Sequence, residues 1–254
     1  MHSEQFQLHA EIEERHWWFV ARRTILRRLI AELVPPARDA TLIDIGCGTG
    51  ANLSALADAY RCVGVDTSPE AIELAQGRFP HVKFVAGAAP AAIAADLPQA
   101  KLVLLNDVLE HVEDDYGLLQ SIVELARPGT FFLLTVPADP SLWSQHDESF
   151  GHFRRYDLEM FRQLWAGLPV EPRLCSHFNA RLYPAVKLVR SLSQLRGHAA
   201  GESGTDFRLP PMWANRLCER IFAGEAAGLV HALRANGAVY SRGVSLIAVL
   251  ERIG

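Results

Sequence analysis

The chain is poor in features that mark several large classes of protein. It has only four cysteines in 254 residues, Cys47, Cys62, Cys175 and Cys218, with no CxxC pair and no zinc-ligand spacing. A disulfide framework therefore has no support, and the four read as reduced core or turn residues of a reducing compartment. No run of about 18 apolar residues occurs, so no membrane-spanning helix is expected. Positive charge is not in surplus: 25 Lys and Arg against 29 Asp and Glu leave a net charge of −4. That balance argues against a nucleic-acid partner, which needs a basic surface. The opening residues, MHSEQFQLHAEIEERH, are polar and acidic and do not read as a signal peptide. No internal repeat is present. What remains is an ordinary globular composition, expected in the cytoplasm.

What the chain does have is an alternation of apolar strands and helices. Leu8, Ile12, Trp18, Ile25, Leu29 and Leu33 recur at roughly helical spacing and predict one or two helices over 3–34, ended by Pro35-Pro36. Within them HWWFVARR, at 16–23, sets Trp17, Trp18 and Phe19 side by side. Three adjacent aromatics cannot share one helix face, so at least one looks elsewhere and is available to cover a ligand. Strands are predicted at 41–45, 62–66, 82–85, 102–106, 131–136, 173–178 and 244–250. Helices are predicted at 52–60, from the Ser68 cap to about Arg78, at 116–126 and at 158–165, with another containing Asp107, Glu110 and His111. This alternation implies an α/β, Rossmann-like, seven-stranded doubly wound sheet. The chain divides into an N-terminal helical cap over 1–40, the α/β core over 41–180 and a C-terminal helical insertion over 181–238, read as a lid. The last core strand lies in 239–254. The insertion includes a Gly/Pro/Ser-rich loop at 198–211. The loop at 138–156 is too long for a plain connection and is expected to serve the substrate.

The organising stretch is TLIDIGCGTGAN, at 41–52. Gly46, Gly48 and Gly50 carry no Cβ to keep a ligand off the backbone, and the amides that follow face it unpaired. Ligands of open α/β sheets bind at the carboxyl ends of the strands. Asp44 with the glycine turn, Asp66, and Asn106-Asp107 all fall there. A carboxylate at Asp66 can accept two ribose hydroxyls, at about 1.5–3 kcal/mol each. The glycines nearly fit GxGxxA, which keeps a nicotinamide-dependent oxidoreductase in view. Asp44, two residues before Gly46, would repel a pyrophosphate and suits a cationic sulfonium or ammonium ligand.

LIDIGCGTG, VGVDTSPEAIELA and LVLLNDVLEHV, in that order over 41–137, resemble the successive motifs of class I S-adenosylmethionine-dependent methyltransferases. Residues 244–252 resemble that fold's last, antiparallel strand. HWWFVARR and HFRRYD also resemble a bacterial small-molecule subgroup related to the methyltransferases of ubiquinone biosynthesis. The resemblance implies S-adenosylmethionine as cofactor, S-adenosylhomocysteine as product and a small-molecule acceptor. It implies that Asp44 and the backbone of Gly46, Cys47, Gly48 and Gly50 hold the methionine part, and that Asp66 binds the ribose with Thr67 and Ser68 beside the adenine. Asn106 and Asp107 would lie near the methionyl group, and Arg22 or Arg23 would meet the cofactor carboxylate. Many relatives have Gly-Asp after the third strand. This chain has Gly87-Ala88-Ala89, which leaves the adenine to backbone and apolar contacts, or to Asp96.

Methyl transfer is an in-line displacement that needs alignment and a deprotonated nucleophile. For a hydroxyl acceptor, His146 and His152 are candidate bases, Asp147 can orient a histidine, and Tyr156 can hydrogen-bond the substrate. The plainer alternative is that these side chains tie the loop to the core. Asp107, Glu110 and His111 would share a helix face and could bind a divalent metal, like a site in some ubiquinone and RNA methyltransferases. Orienting the loop is the simpler role for them, and no metal ligand is assigned. The helix at 182–195, with Lys187 and Arg190 among apolar residues, could touch a membrane surface, face an apolar anionic substrate, or pack on the core or on a second copy. A monomer or homodimer is expected. The expected function is methyl transfer to a small molecule. An oxygen of a secondary metabolite, lipid-linked sugar or quinone-like compound leads as acceptor. A non-catalytic cofactor-binding subunit is the other alternative.

Overall fold

The computed structural model describes residues 3–196 and 209–254, so most of the loop expected at 198–211 lies outside the described residues. Helices α1 (Ser3–Ile12) and α2 (Trp17–Leu33) come first, and the His16 side chain caps α2 by accepting the Trp18 amide. β1 (Thr41–Ile45) is buried at every position, as a central parallel strand covered on both faces must be. It leads into α3 (Ala51–Ser54), one turn long. The helix expected over 52–60 stops there. Leu56 and Ala59 close tighter i to i+3 bonds, and the Tyr60 hydroxyl donates to Val34 O at 2.7 Å, which draws the chain back to α2.

There follow β2 (Arg61–Asp66), α4 (Pro69–Arg78), β3 (Lys83–Ala86), β4 (Ala100–Asn106), α5 (Asp115–Leu125) and β5 (Phe131–Pro137). Then come α6 (Gln145–Ser149), α7 (Leu158–Gln163), β6 (Val170–Phe178), α8 (Tyr183–Arg196), α9 (Met212–Ala223), α10 (Ala226–Arg234) and β7 (Ser245–Arg252). The seven strands run in the order β3-β2-β1-β4-β5-β7-β6, with β7 antiparallel to both neighbours. The doubly wound sheet expected from the sequence is therefore present, with its last strand reversed. The helix expected through Asp107 is not. Asp107 has φ 55°, its carboxylate is taken by Arg22 and Thr135, and only a 3-10 turn, Leu109–His111, follows.

Neighbouring residues on a strand face opposite ways, and the sheet uses both faces. On one, α2, α9 and α10 set Ile25, Leu29, Phe222 and Leu229 on Leu42, Leu104 and Leu133. On the other, α5 and α7 set Leu119, Ile122 and Phe161 against Val103, Leu105 and Leu134. Each such buried side chain contributes about 1.5–3 kcal/mol. The insertion is thus divided: α10 packs on α2 and β6, while α8 lies over the loop that follows β5. The tether is Asp139, which accepts from the Tyr183 hydroxyl at 2.6 Å and from Lys187 Nζ at 3.2 Å, while Arg190 donates to Leu142 O at 2.8 Å.

Burial opposes ionisation of Asp139, but hydrogen bonds from Ser141, Tyr183 and Lys187 outweigh it and hold the carboxyl below its usual 3.8. A depressed carboxylate stabilises the fold above its unfolded pKa, and that contribution is lost as pH falls. Hydrogen exchange along 183–191 is therefore expected to speed up in Asp139→Ala at neutral pH, and in the unaltered chain only below about pH 4. Equal protection of α8 in the variant would exclude Asp139 as the tether.

Candidate active site

A cavity of about 1210 Å³ opens at the carboxyl ends of β1, β2 and β4. Small-molecule pockets run to about 300–1,000 Å³, so this one has room for a nucleoside-sized ligand and a second molecule. Gly46, Cys47, Gly48, Asp66, Thr67, Ser68, Asn106 and Asp107 line one half. Gly46 and Gly48 have φ of 68° and 52°, a region costly for other residues. A Cβ on Gly46 would lie 2.5 Å from Val108 Cγ2, whereas one on Gly48 would stand in open space. Bare backbone therefore faces the cavity, as a close-bound ligand requires. The Asp66 carboxylate accepts the Gly48 amide at 3.0 Å and the Ser68 amide at 2.9 Å. Each of its oxygens keeps a lone pair for a ligand.

Asp44 and Gly50 do not belong to the cavity wall. Asp44 is 1% exposed, and burial raises its pKa to about 7, with Arg22 and Asn106 opposing. It sits beneath the turn, so any influence on a cationic ligand acts through space. Of the two candidate arginines, Arg22 reaches the cavity and Arg23 donates to Glu13 O at 2.8 Å. Burial lowers Arg22 to about 10; its Nη1 donates to Asp107 and its guanidinium lies 4.4 Å from the Trp18 ring. Arg22 Nε has no hydrogen-bond partner among the described residues. Asp96 is not at the cavity. It pairs with Lys83 at 2.8 Å and Arg61 at 3.6 Å, leaving Gly87, Ala88 and Ala89 as the wall beside Asp66. Glu13, which no local pattern in the sequence marks, accepts from Thr49 Oγ1 at 2.7 Å and pairs with Arg78, fastening the N-terminal helices to the glycine turn.

The other half is built by the loop after β5 and by α8. Its hub is Asp147, fully buried, which meets His152 Nδ1 at 3.0 Å, Arg155 Nη1 at 2.8 Å and the Ser144 amide at 2.9 Å. Burial opposes its charge, but His152, Arg155 and Arg190 hold the carboxyl well below the usual range. Burial also keeps His146 well below its ordinary value, so it is neutral at pH 7; its ring lies 6.3 Å from that of His152. His146 and His152 both line the cavity. Tyr156 does not. It is 1% exposed and its hydroxyl donates to Asp115 Oδ2 at 2.7 Å. The segment is extended, so adjacent side chains alternate: Arg155 takes the cavity side and Tyr156 the core. The expected substrate contact of Tyr156 is replaced by a structural one.

Glu110 is 1% exposed and lines the cavity; burial lifts its pKa to about 8 against the pull of Arg22 and Arg155. Glu110, His111 and His152 each bring a donor atom within 4.8 Å of the others. Two imidazoles and a carboxylate are a donor set that suits a divalent metal, and Asp147 behind His152 is the usual second layer. If a metal binds here, these three hold it, and Asp107, spent on Arg22 and Thr135, does not.

The sheet order, the reversed last strand and the glycine turn with Asp66 opposite define the class I methyltransferase fold. The family described as a methyltransferase domain matches residues 18–183, and the chain belongs to it. A trans-aconitate 2-methyltransferase from Azoarcus sp. (strain BH72) is 29% identical over 130 residues, 49% of this chain and 50% of that protein. The ajmaline N-methyltransferase of Rauvolfia serpentina is 25% identical over 200 residues, 66% of this chain and 67% of that one. The matched stretch spans about half the length of the first curated relatives. Geranyl diphosphate C-methyltransferase from Streptomyces coelicolor A3(2) shares the fold, with TM-score 0.55 and 16% identity over 89% of this chain and 74% of that one. These relatives do not single out the ubiquinone-type subgroup that HWWFVARR and HFRRYD suggested.

The two glycines separate folding from binding. Gly48→Ala is expected to cost about 1–2 kcal/mol in denaturant melts and to weaken S-adenosylhomocysteine binding about tenfold or more by calorimetry. Gly46→Ala should cost more stability, because its methyl strikes Val108. Full ligand affinity in Gly48→Ala would remove the turn from the binding surface.

Proposed function

We propose that the chain transfers a methyl group from S-adenosylmethionine to an oxygen of a small-molecule acceptor. The observation that carries this reading is that one cavity runs unbroken from the glycine turn and Asp66 to the Asp147–His152 pair. The cofactor, when bound, supplies an electrophilic methyl on a sulfonium. Asp66 would accept the ribose hydroxyls, Thr67, Ser68 and the Gly87–Ala89 backbone would flank the adenine, and the Gly46–Gly48 backbone with Asn106 and Asp107 would hold the methionine part. Arg22, with Nε open, would meet its carboxylate. The buried carboxyl of Asp44 favours a cationic centre above the turn.

In the other half His152 has Nδ1 against Asp147, which leaves Nε2 for the acceptor. It would take the hydroxyl proton as the oxygen attacks, and Asp147 would stabilise the resulting imidazolium. His146, neutral and buried nearby, is the second candidate. Trp17, Trp18 and α8 would exclude water, with α8 serving as the lid. Family membership removes the nicotinamide oxidoreductase. A non-catalytic binding subunit would bind cofactor without turnover.

Asp66→Ala should weaken S-adenosylhomocysteine binding by more than about 100-fold, the loss of two charge-assisted hydrogen bonds. Calorimetry giving unchanged affinity would sink the ribose assignment. With an acceptor found by screening, His152→Ala should lose about 10²–10⁴ in kcat together with the acidic-side limb of the pH–rate profile, on which a general base sheds its proton. If His152→Ala and His146→Ala both keep the parent profile, neither is the base.

A further inference from the structure

Among the described residues, four that line the cavity carry buried side-chain atoms with no hydrogen-bond partner: Arg22 and Asn106, read above as meeting the cofactor, and Glu110 and Asn179. Glu110 and Asn179 are each 1% exposed; neither carboxyl oxygen of Glu110, nor Asn179 Oδ1, has a hydrogen-bond partner among the described residues. Both are positioned by their backbones instead. Glu110 O accepts the Phe153 amide at 2.7 Å. Asn179 turns to φ 52° at the end of β6, and the next two amides, of Ala180 and Arg181, donate to Glu225 at 2.9 and 2.8 Å. An unpaired buried polar group costs about 1–3 kcal/mol. Such groups call for an explanation, and a ligand that completes both supplies one.

We propose that Glu110 and Asn179 form a recognition subsite for a neutral, hydroxylated acceptor, which presents O–H groups to both and lays its apolar remainder on Phe150, Leu182 and Val186. The inference rests on the methyl-transfer reading and names the acceptor class for it. Asn179 Oδ1 can only accept, so the ligand must donate, and the Glu110 carboxyl accepts from a hydroxyl whether or not it carries its own proton. Arg22 and Arg155, the cations nearest Glu110, are already paired with Asp107 and Asp147. An anion would need a free guanidinium fork. Arg155 spends Nε on Ala138 O, Nη1 on Asp147 and Nη2 on Val244 O. Phe150, Leu182 and Val186 give the non-polar part of the acceptor an apolar wall.

The test is calorimetry on the full chain saturated with S-adenosylhomocysteine, with a chelator present so that no metal ion occupies Glu110. The probes are catechol, guaiacol and veratrole, the same ring with two, one and no hydroxyls, and benzoate and benzylamine as charged controls. Catechol is expected to bind, affinity to fall about tenfold for each hydroxyl methylated, and both charged probes to bind more weakly than catechol. Glu110→Ala and Asn179→Ala should each weaken catechol about tenfold while leaving S-adenosylhomocysteine affinity unchanged; if the first does not fold, the second decides. The subsite is overturned if veratrole matches catechol, if either charged probe binds more tightly, if catechol fails to bind at millimolar concentration, or if the folded variants bind it normally. It is also overturned if a folded variant loses S-adenosylhomocysteine, which would put that residue in the cofactor half. Failure of the unaltered chain to bind S-adenosylhomocysteine instead overturns the methyl-transfer reading and takes the subsite with it.

Discussion

The turn after β1 has to present bare backbone to a ligand and still hold its shape. It does so through bonds to the neighbouring strand. Val65 O accepts the amides of Gly46 and Cys47 at 2.8 and 3.1 Å, and Asp66 accepts that of Gly48 at 3.0 Å. Glu13 adds a second grip from the N-terminal helices, through Thr49 and Arg78. The turn is thus fixed at both flanks and open on one side, where Gly48 would place a Cβ in empty space. Preorganisation of this kind moves the ordering cost from binding into folding. Asp66, at the end of β2, Asn106, at the end of β4, and Arg22, on α2, line the cavity with the turn.

The other half of the cavity is ordered by charge. Asp147 is a fully buried carboxylate that holds His152 and Arg155 and stands 3.8 Å from Arg190 of α8. A buried charge is tolerated only when paired and hydrogen-bonded, and Asp147 is both. The same residue completes the capping box of α6 with Ser144. One side chain therefore sets the loop, the His152 ring at the cavity wall and one anchor of α8, so these parts are expected to move together. The two halves of the cavity meet at Glu110, whose carboxyl feels both Arg22 and Arg155.

Much of this was legible in the sequence. Strand–helix alternation gave the sheet, and the glycine spacing with Asp44 and Asp66 pointed to a ribose-bearing cation rather than a pyrophosphate. Lost were the features set by parity or by distant contacts. Tyr156 and Arg155 differ by one position, and only the extended backbone decides which of them faces the cavity. Asp107 reads as helical until Arg22, 85 residues away, and Thr135 claim its carboxylate. The Glu13–Thr49 bond spans 36 residues and leaves no local pattern. The 52–60 segment reads as helix by composition and is cut short by the Tyr60 contact with α2. The insertion reads as one lid, but α10 packs on α2 and β6 while α8 lies over the loop that follows β5.

The central claim is that one continuous cavity holds the methyl donor at the glycine turn and keeps its other half for the acceptor. A crystal structure of the full chain with S-adenosylhomocysteine tests this most directly. The ribose hydroxyls are expected on Asp66, the amino-acid part along Gly46–Gly48 beneath Arg22, and free space from Glu110 to Val186. Adenosine or homocysteine lodged among His146, His152 and Asn179 would contradict it.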